Sequence, residues 1–119
     1  MVKIKSLIQK GRNFQTRVCD MFKSEFKLTS DDIRTPVGSE SGVDIILTSK
    51  KAREIIDLSI ECKNQKTASL WAWLEQAKSR SGTPALIFHR SVSGNKDIWI
   101  TVPLKYFIDL KKKAIKNVR

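Results

Sequence analysis

The sequence has little of what zinc sites and disulfide frameworks require. It contains two cysteines, Cys19 and Cys62, without CxxC spacing, and a single histidine, His89. Structural zinc sites need several Cys and His ligands at short spacings, and disulfides are disfavoured in a reducing compartment. We therefore predict that both cysteines are small buried side chains and that His89 is structural.

Long apolar runs are also missing. No stretch approaches the length of a membrane span, and the start Met1–Lys5 leads into no apolar segment typical of a secretory signal. The sequence therefore predicts a cytoplasmic protein without a membrane partner.

Acidic residues are scarce beside basic ones. The chain has 12 Asp and Glu against 23 Lys and Arg, a formal net charge of +11. Such an excess suits a polyanion, nucleic acid before membrane, although a basic surface that only aids solubility gives the same composition. A length of 119 residues with 40% apolar residues fits one domain over residues 1–119, with a basic C-terminal helix or tail from about residue 104.

Apolar residues spaced by four predict a first helix over about residues 9–26. Its expected core residues are Phe14, Val18, Met21, Phe22 and Phe26. Three strands, a helix, two strands and a last helix should follow, at about 33–37, 43–48, 58–63, 69–79, 85–88, 97–102 and from 104. Residues 49–54 suggest a turn or one helical turn, and Ser69 is placed to cap the middle helix. The last helix should face inward through Leu104, Phe107, Ile108 and Ile115. This order predicts an α/β layered domain with a mixed sheet.

Three residues form the candidate site. Asp44 begins one predicted strand, and Glu61 and Lys63 lie two residues apart on the next, so both project to one face of the sheet. If the strands are neighbours, Asp44 meets Glu61. Two carboxylates held together favour a divalent cation, and oxygen ligands favour Mg²⁺ or Mn²⁺ over zinc. Lys63 would contact a phosphate oxygen, stabilise charge developing on phosphorus or orient a water.

An ExK triplet alone is a weak signal, because ordinary surface charges give the same pattern. Here apolar residues surround the triplet, and a Gly-Ser loop, Gly38–Gly42, precedes Asp44. Such loops allow close approach of backbone to phosphate.

The segments Gly38–Asp44 and Ser59–Lys63 together resemble the PD-(D/E)XK nuclease superfamily. More narrowly, the chain is similar to archaeal-type Holliday junction resolvases and their phage-borne relatives, from about Lys10 to Phe107. Lys10–Phe14 is similar to the basic start of their first helix, and Ile60–Gln65 followed by Leu74–Ala77 looks like the phage branch.

The resemblance implies a restriction-endonuclease-like αβββαβ core, with a mixed central sheet flanked by helices. It also implies a homodimer that cuts branched double-stranded DNA in recombination and repair. The cofactor would be Mg²⁺, for which Mn²⁺ substitutes, and no small-molecule cofactor is expected. If the chain is phage-encoded, its compartment is the host cytoplasm. By position, Asp44 and Glu61 correspond to metal ligands, with the backbone carbonyl of Cys62 as a candidate third, and Lys63 corresponds to the catalytic lysine. Ser39 corresponds to a loop serine near the scissile phosphate, and Gln76 resembles a helix residue that supports the site.

Two positions depart from the family pattern. Val43 stands where the motif has proline, which the superfamily tolerates. Gln15 stands where the archaeal enzymes carry a glutamate that assists metal binding. An amide can hold a water on a metal but brings no charge, so a second metal is in question. Glu40 could supply the missing carboxylate, or it is a solvated loop charge.

Further candidates for DNA contacts lie on the first helix, in the loops and on the middle helix. They are Lys10, Arg12, Arg17, Arg34, Ser39, Ser41 and Trp71. Each has an alternative as an ordinary surface residue, and Trp71 could also pack in a dimer interface. Two rival functions stay open: a nickase or restriction-like nuclease of the same superfamily, and a non-catalytic basic DNA-binding protein with this fold.

Overall fold

The computed structural model describes residues 4–38, 40 and 42–118. Their elements are α1 (Ile4–Phe26), β1 (Ile33–Arg34), β2 (Ile46–Leu47), α2 (Lys50–Ile56), β3 (Ser59–Gln65), α3 (Leu70–Lys78), β4 (Pro84–Arg90), β5 (Ile98–Thr101) and α4 (Leu104–Val118). The predicted α/β class with a mixed sheet is confirmed, since β3 pairs parallel with β4 and β4 pairs antiparallel with β5.

The core lies between α1 and one face of this sheet. Phe14, Val18 and Cys19 of α1 are buried against Ile60 and Cys62 of β3. The prediction that both cysteines are small buried residues is confirmed. On the opposite face α3 packs through Trp73, whose ring centroid lies 6.3 Å from that of Phe88. The sheet is therefore enclosed between α1 and α3.

The first helix is longer and less buried than predicted. It begins at Ile4 rather than near residue 9. Met21 and Phe26, expected in the core, are 48% and 42% exposed. The four-residue spacing turns Phe26 about 120° around the helix from the buried Phe14. The helix ends at Phe26. The next residue, Lys27, has a left-handed φ of 54°, and Leu28 N–H donates to the Lys23 carbonyl at 2.9 Å.

The two early strands are much shorter than the predicted 33–37 and 43–48. Only two residues of each pair, Ile33 with Leu47 and Arg34 with Ile46. Pro36 has no N–H to extend the first strand. Asp44, before the second, bonds through its N–H to the Ile60 carbonyl of β3 instead. Between β2 and β3 lies α2, a helix of seven residues where a turn or one helical turn was expected, with Ser49 Oγ accepting from Ala52 N–H.

The predictions for the two later helices need correction. Ser69 occupies the N-cap of α3 but makes no side-chain cap hydrogen bond. The four residues of α4 expected to face inward are all exposed: Leu104, Phe107, Ile108 and Ile115. Near its start α4 contacts the body through Tyr106, whose hydroxyl donates to the Ile56 carbonyl at 3.4 Å. Within the part of the chain that the structure describes, the apolar face of α4 therefore stays exposed.

Candidate active site

Strand β3 places Glu61 and Lys63 on the sheet face that α3 covers. In register they stand beside Leu86 and Phe88 of β4. Glu61 is only 1% exposed, whereas Lys63 is half-buried. A carboxyl buried this deeply needs a partner, because burial of an unpaired charge is costly.

Asp44 is fastened to the free edge of β3 by two hydrogen bonds. Its N–H donates to the Ile60 carbonyl at 3.0 Å, and its Oδ2 accepts from Cys62 N–H at 2.8 Å. Ser59 N–H donates in the other direction, to Thr83 beside β4, at 2.7 Å. The N–H and C=O groups of successive residues in a strand point to opposite edges. The Cys62 carbonyl therefore points to the same edge as the Cys62 N–H, where Asp44 lies. Asp44 therefore contacts β3 through Ile60 and Cys62, the two neighbours of its predicted partner Glu61, and it lies just outside the β2 ladder.

The carboxyls of Glu61 and Asp44 repel each other. Burial, as the largest cause, and the nearby Asp44 carboxylate together raise the pKa of Glu61 to about 7. Near neutral pH, Glu61 is thus divided between its acid and its carboxylate. A cation beside the pair would favour the carboxylate.

Arg80 is a site residue that the sequence analysis missed. It follows α3 directly, and its Nε lies 3.5 Å from Glu61 Oε1. The guanidinium lowers the pKa of Glu61, though less than burial raises it. The residues are 19 positions apart, so no local spacing links them. The only available signal was that Arg80 lies four residues after Gln76, on the same side of a helix if the helix continued.

The donor set at this edge suits a hard divalent cation. It consists of the Asp44 and Glu61 carboxylates and the Cys62 carbonyl, all oxygens, and Mg²⁺ often uses one or two carboxylates plus water. The Cys62 thiol is packed on the α1 side, where burial raises its pKa. Across the described ranges, no three or more His, Cys, Asp and Glu side chains are grouped to hold a metal. Such a metal would therefore rely on two carboxylates, not a full protein cage.

The structure engages Glu40 elsewhere. Its two oxygens accept from the Arg34 guanidinium at 2.9 and 3.0 Å, and Oε1 also accepts from Val37 N–H at 2.9 Å. These bonds hold the pKa of Glu40 at about 2, with the Arg34 hydrogen bonds as the main cause. In this arrangement Glu40 is not free to bind a metal, and Arg34 is not free to contact a phosphate. Gln15 is half-buried on α1.

Basic residues of α1 flank the site. Lys10 donates to Ser91 Oγ at 2.5 Å and lines a groove of about 730 Å³ together with Cys62 and Lys63. On the other side of Lys10, a cleft of about 480 Å³ contains Arg17. Arg12 is exposed. The groove connects the first helix directly to the candidate catalytic lysine.

The other predicted contacts lie apart from this groove or outside the described residues. Gln76 is exposed on α3. Trp71, at 79% exposure, lies about 160° around α3 from the buried Trp73, facing away from the sheet. Ser39 and Ser41 fall outside the described residues.

His89 has a structural environment, as the sequence suggested. Its Nδ1 lies 2.7 Å from Asn64 Oδ1, and its Nε2 lies 2.8 Å from the Asn95 carbonyl. Its ring stacks on Phe14 at a centroid distance of 6.0 Å. With both ring nitrogens engaged, His89 joins β4 to the turn before β5.

Compared with protein-family models, curated proteins and solved structures, the chain matches none. In the part of the chain that the structure describes, no helix has the length and apolar character to cross a membrane.

Proposed function

We propose that this protein is a Mg²⁺-dependent endonuclease of the PD-(D/E)XK superfamily that acts on branched DNA, a junction resolvase. The observation that carries the proposal is the hydrogen-bonded attachment of Asp44 to Cys62, beside the buried Glu61 and one residue before Lys63. This attachment gathers the family's motif residues at one strand edge, although 16 residues separate Asp44 from the next of them.

The roles of the chain's own residues follow from their positions. Asp44 and Glu61 present carboxylate oxygens at the edge of β3, and the Cys62 carbonyl adds a neutral one. Lys63, on the same face as Glu61 and half-open to the groove, places an ammonium against the phosphodiester and stabilises the charge that develops there. When bound, Mg²⁺ would supply a Lewis acid for the phosphoryl oxygen and lower the pKa of the attacking water.

The basic surface supports DNA as the substrate. The net charge is +11, and the lining of the groove beside Lys63 includes Lys10 and Lys66. Lysines along such a groove neutralise phosphates with little dependence on base sequence. Recognition by shape is therefore the mode this groove favours, as a branched substrate requires.

A homodimer is part of this proposal, and two uncovered apolar surfaces support it. One is the outer face of α4, with Leu104, Phe107, Ile108 and Ile115 exposed. The other is a groove of about 380 Å³ between α1 and β5, lined by Phe22, Phe26, Ile98 and Ile100 among others. Exposed apolar area of this extent marks interaction surfaces in soluble proteins. A two-fold dimer would carry two sites for the symmetric strands of a four-way junction.

One observation favours a second candidate, a non-catalytic DNA-binding protein with this fold. Arg80 already lies 3.5 Å from Glu61, so the glutamate has a cationic partner without any metal. In that case the pair would only stabilise the fold, and Asp44 would only tie its loop to β3.

Cleavage of a labelled four-way junction and of a linear duplex of the same sequence, with Mg²⁺ and with Mn²⁺, tests the proposal. A resolvase cuts the junction at paired positions and leaves the duplex intact. Equal rates on both substrates would indicate the nickase or restriction-like alternative. Binding without cleavage under both metals would indicate the non-catalytic one.

A further inference from the structure

An aromatic and basic cleft lies on the sheet face that carries Glu61 and Lys63, away from the carboxylates. Its volume is about 470 Å³. Trp73 of α3, Phe88 of β4 and Trp99 of β5 supply its aromatic walls, and Lys66 and Arg90 supply its cations. No acidic side chain of the described ranges lines it.

Strand register ties this cleft to the candidate site. Lys63 pairs with Phe88, and Phe88 pairs with Trp99, so the three side chains form one row across the sheet on the same face. Two strand spacings separate the ends of the row by about 10 Å. Neighbouring nucleotides of one DNA strand can span this distance.

Two of the aromatic walls of the cleft are packed against each other. Trp73 is buried, and its ring centroid lies 6.3 Å from that of Phe88. Arg90 Nε donates to the Lys66 carbonyl at 3.3 Å, which joins the two basic residues at the rim. Trp99, by contrast, is 60% exposed on the edge strand. An exposed indole beside an aromatic wall and two cations is the arrangement that stacks a nucleobase and holds its phosphate.

We propose that this cleft is a nucleobase subsite, in which an unpaired base of the DNA strand running past Lys63 stacks on Trp99 while Lys66 and Arg90 contact the adjoining phosphates. This inference rests on the proposed function and deepens it. A base can enter the cleft only where it is unstacked, as at a branch point or a frayed end. The subsite thereby favours branched or single-stranded DNA over continuous duplex.

A second copy of the chain is the competing occupant, because Trp99 also lines the groove between α1 and β5. The charge distribution favours DNA. Among the described residues, the cleft on the Lys63 side is lined by two cations and no carboxylate, whereas the α1–β5 groove is lined by Glu25 and no cation. The two clefts therefore differ in the partner they suit.

Binding in metal-free buffer tests the subsite without depending on cleavage. The probes are a fluorescein-labelled thymidine oligonucleotide, an abasic oligonucleotide of equal length and a blunt duplex. We expect Trp99→Ala to weaken thymidine binding about fivefold to a hundredfold and to leave abasic binding unchanged, because only stacking is lost. Trp99→Phe should stay near wild type, and Trp99→Leu, which keeps apolar area without an aromatic face, should behave as Trp99→Ala.

Three results would overturn the subsite. The first is wild-type thymidine binding by Trp99→Ala and Trp99→Leu. The second is equal weakening of thymidine and abasic binding. The third is dissociation of a dimer by Trp99→Ala with DNA binding unchanged, which would mean that a second copy covers Trp99. Junction cleavage by wild type is measured separately, so failure of the subsite with cleavage intact leaves the proposed function standing. If the protein binds DNA in a base-dependent way but never cleaves it, the subsite stands and the proposed nuclease function fails.

Discussion

Arg80 Nε lies 3.5 Å from Glu61 Oε1, which places a cation beside the most deeply buried carboxyl of the site. Above its pKa of about 7, Glu61 is ionised and Arg80 stabilises it; below, Glu61 is protonated and the attraction is lost. Without metal, Arg80→Gln should therefore lower the free energy of unfolding by about 1 kcal/mol near pH 8 and by little near pH 5. Urea unfolding at the two pH values measures this.

A matched control for Arg80 is Lys78→Gln on the same helix. Lys78 pairs with Glu75 at 3.4 Å, and both side chains are largely exposed, so its removal should change stability little at either pH. If Arg80→Gln behaves like Lys78→Gln, Arg80 is a surface residue and not a positioning residue for Glu61.

The raised pKa of Glu61 predicts an unusual pH dependence of stability. Its ordinary value is 4.5 and its folded value is about 7, so the folded protein binds the proton more tightly than the unfolded chain. The contribution of Glu61 to the free energy of unfolding is therefore fully present below about pH 4.5 and is lost as the pH rises through about 7. Glu61→Gln should remove this loss. Denaturant unfolding of both proteins across that window measures it, and equal slopes would contradict the burial argument.

The end of α1 offers a test of the backbone geometry. Lys27 has a φ of 54°, and left-handed backbone is unfavourable for residues with a Cβ. Lys27→Gly should raise the free energy of unfolding by roughly 0.5 to 1 kcal/mol without affecting DNA binding. Glu25→Gly, two residues earlier within the helix, should lower it by roughly 0.5 kcal/mol. A loss of stability in Lys27→Gly would contradict the left-handed assignment.

The exposed face of α4 should control self-association. The double variant Phe107→Glu with Ile108→Glu places two charges on that face and should shift the protein to monomer in sedimentation equilibrium. Lys113→Glu, on the side of the helix opposite Leu104, changes the net charge by the same two units and should leave association unchanged. Nicking of one strand should persist in the double variant while paired cuts decline, because each site is complete within one chain. Unchanged association of the double variant would place the dimer surface elsewhere.

The local sequence was enough to predict β3 and the common face of its two candidate site residues. Alternating side chains and apolar neighbours place Glu61 and Lys63 on one face, and the register with β4 is consistent with that assignment. The α/β class and the mixed sheet were predictable for the same reason. Helix and strand periods are properties of short segments.

Long-range partners were not predictable in this way. The contact of Arg80 with Glu61 and that of Arg34 with Glu40 depend on how loops and helix ends are placed, which no period encodes. The prediction that α4 faces inward was wrong for a different reason. An amphipathic helix predicts that some surface will cover it, and the sequence does not say whether that surface belongs to the same chain.

Cleavage of a four-way junction in Mg²⁺ by wild type, Asp44→Asn and Glu61→Gln, with junction binding measured in parallel, tests the central claim most directly. We predict paired cuts by wild type, a loss of rate of at least about a hundredfold in both variants, and retained binding. Wild-type protein that leaves the junction intact with both Mg²⁺ and Mn²⁺, or Glu61→Gln that cuts at the wild-type rate, would contradict the account.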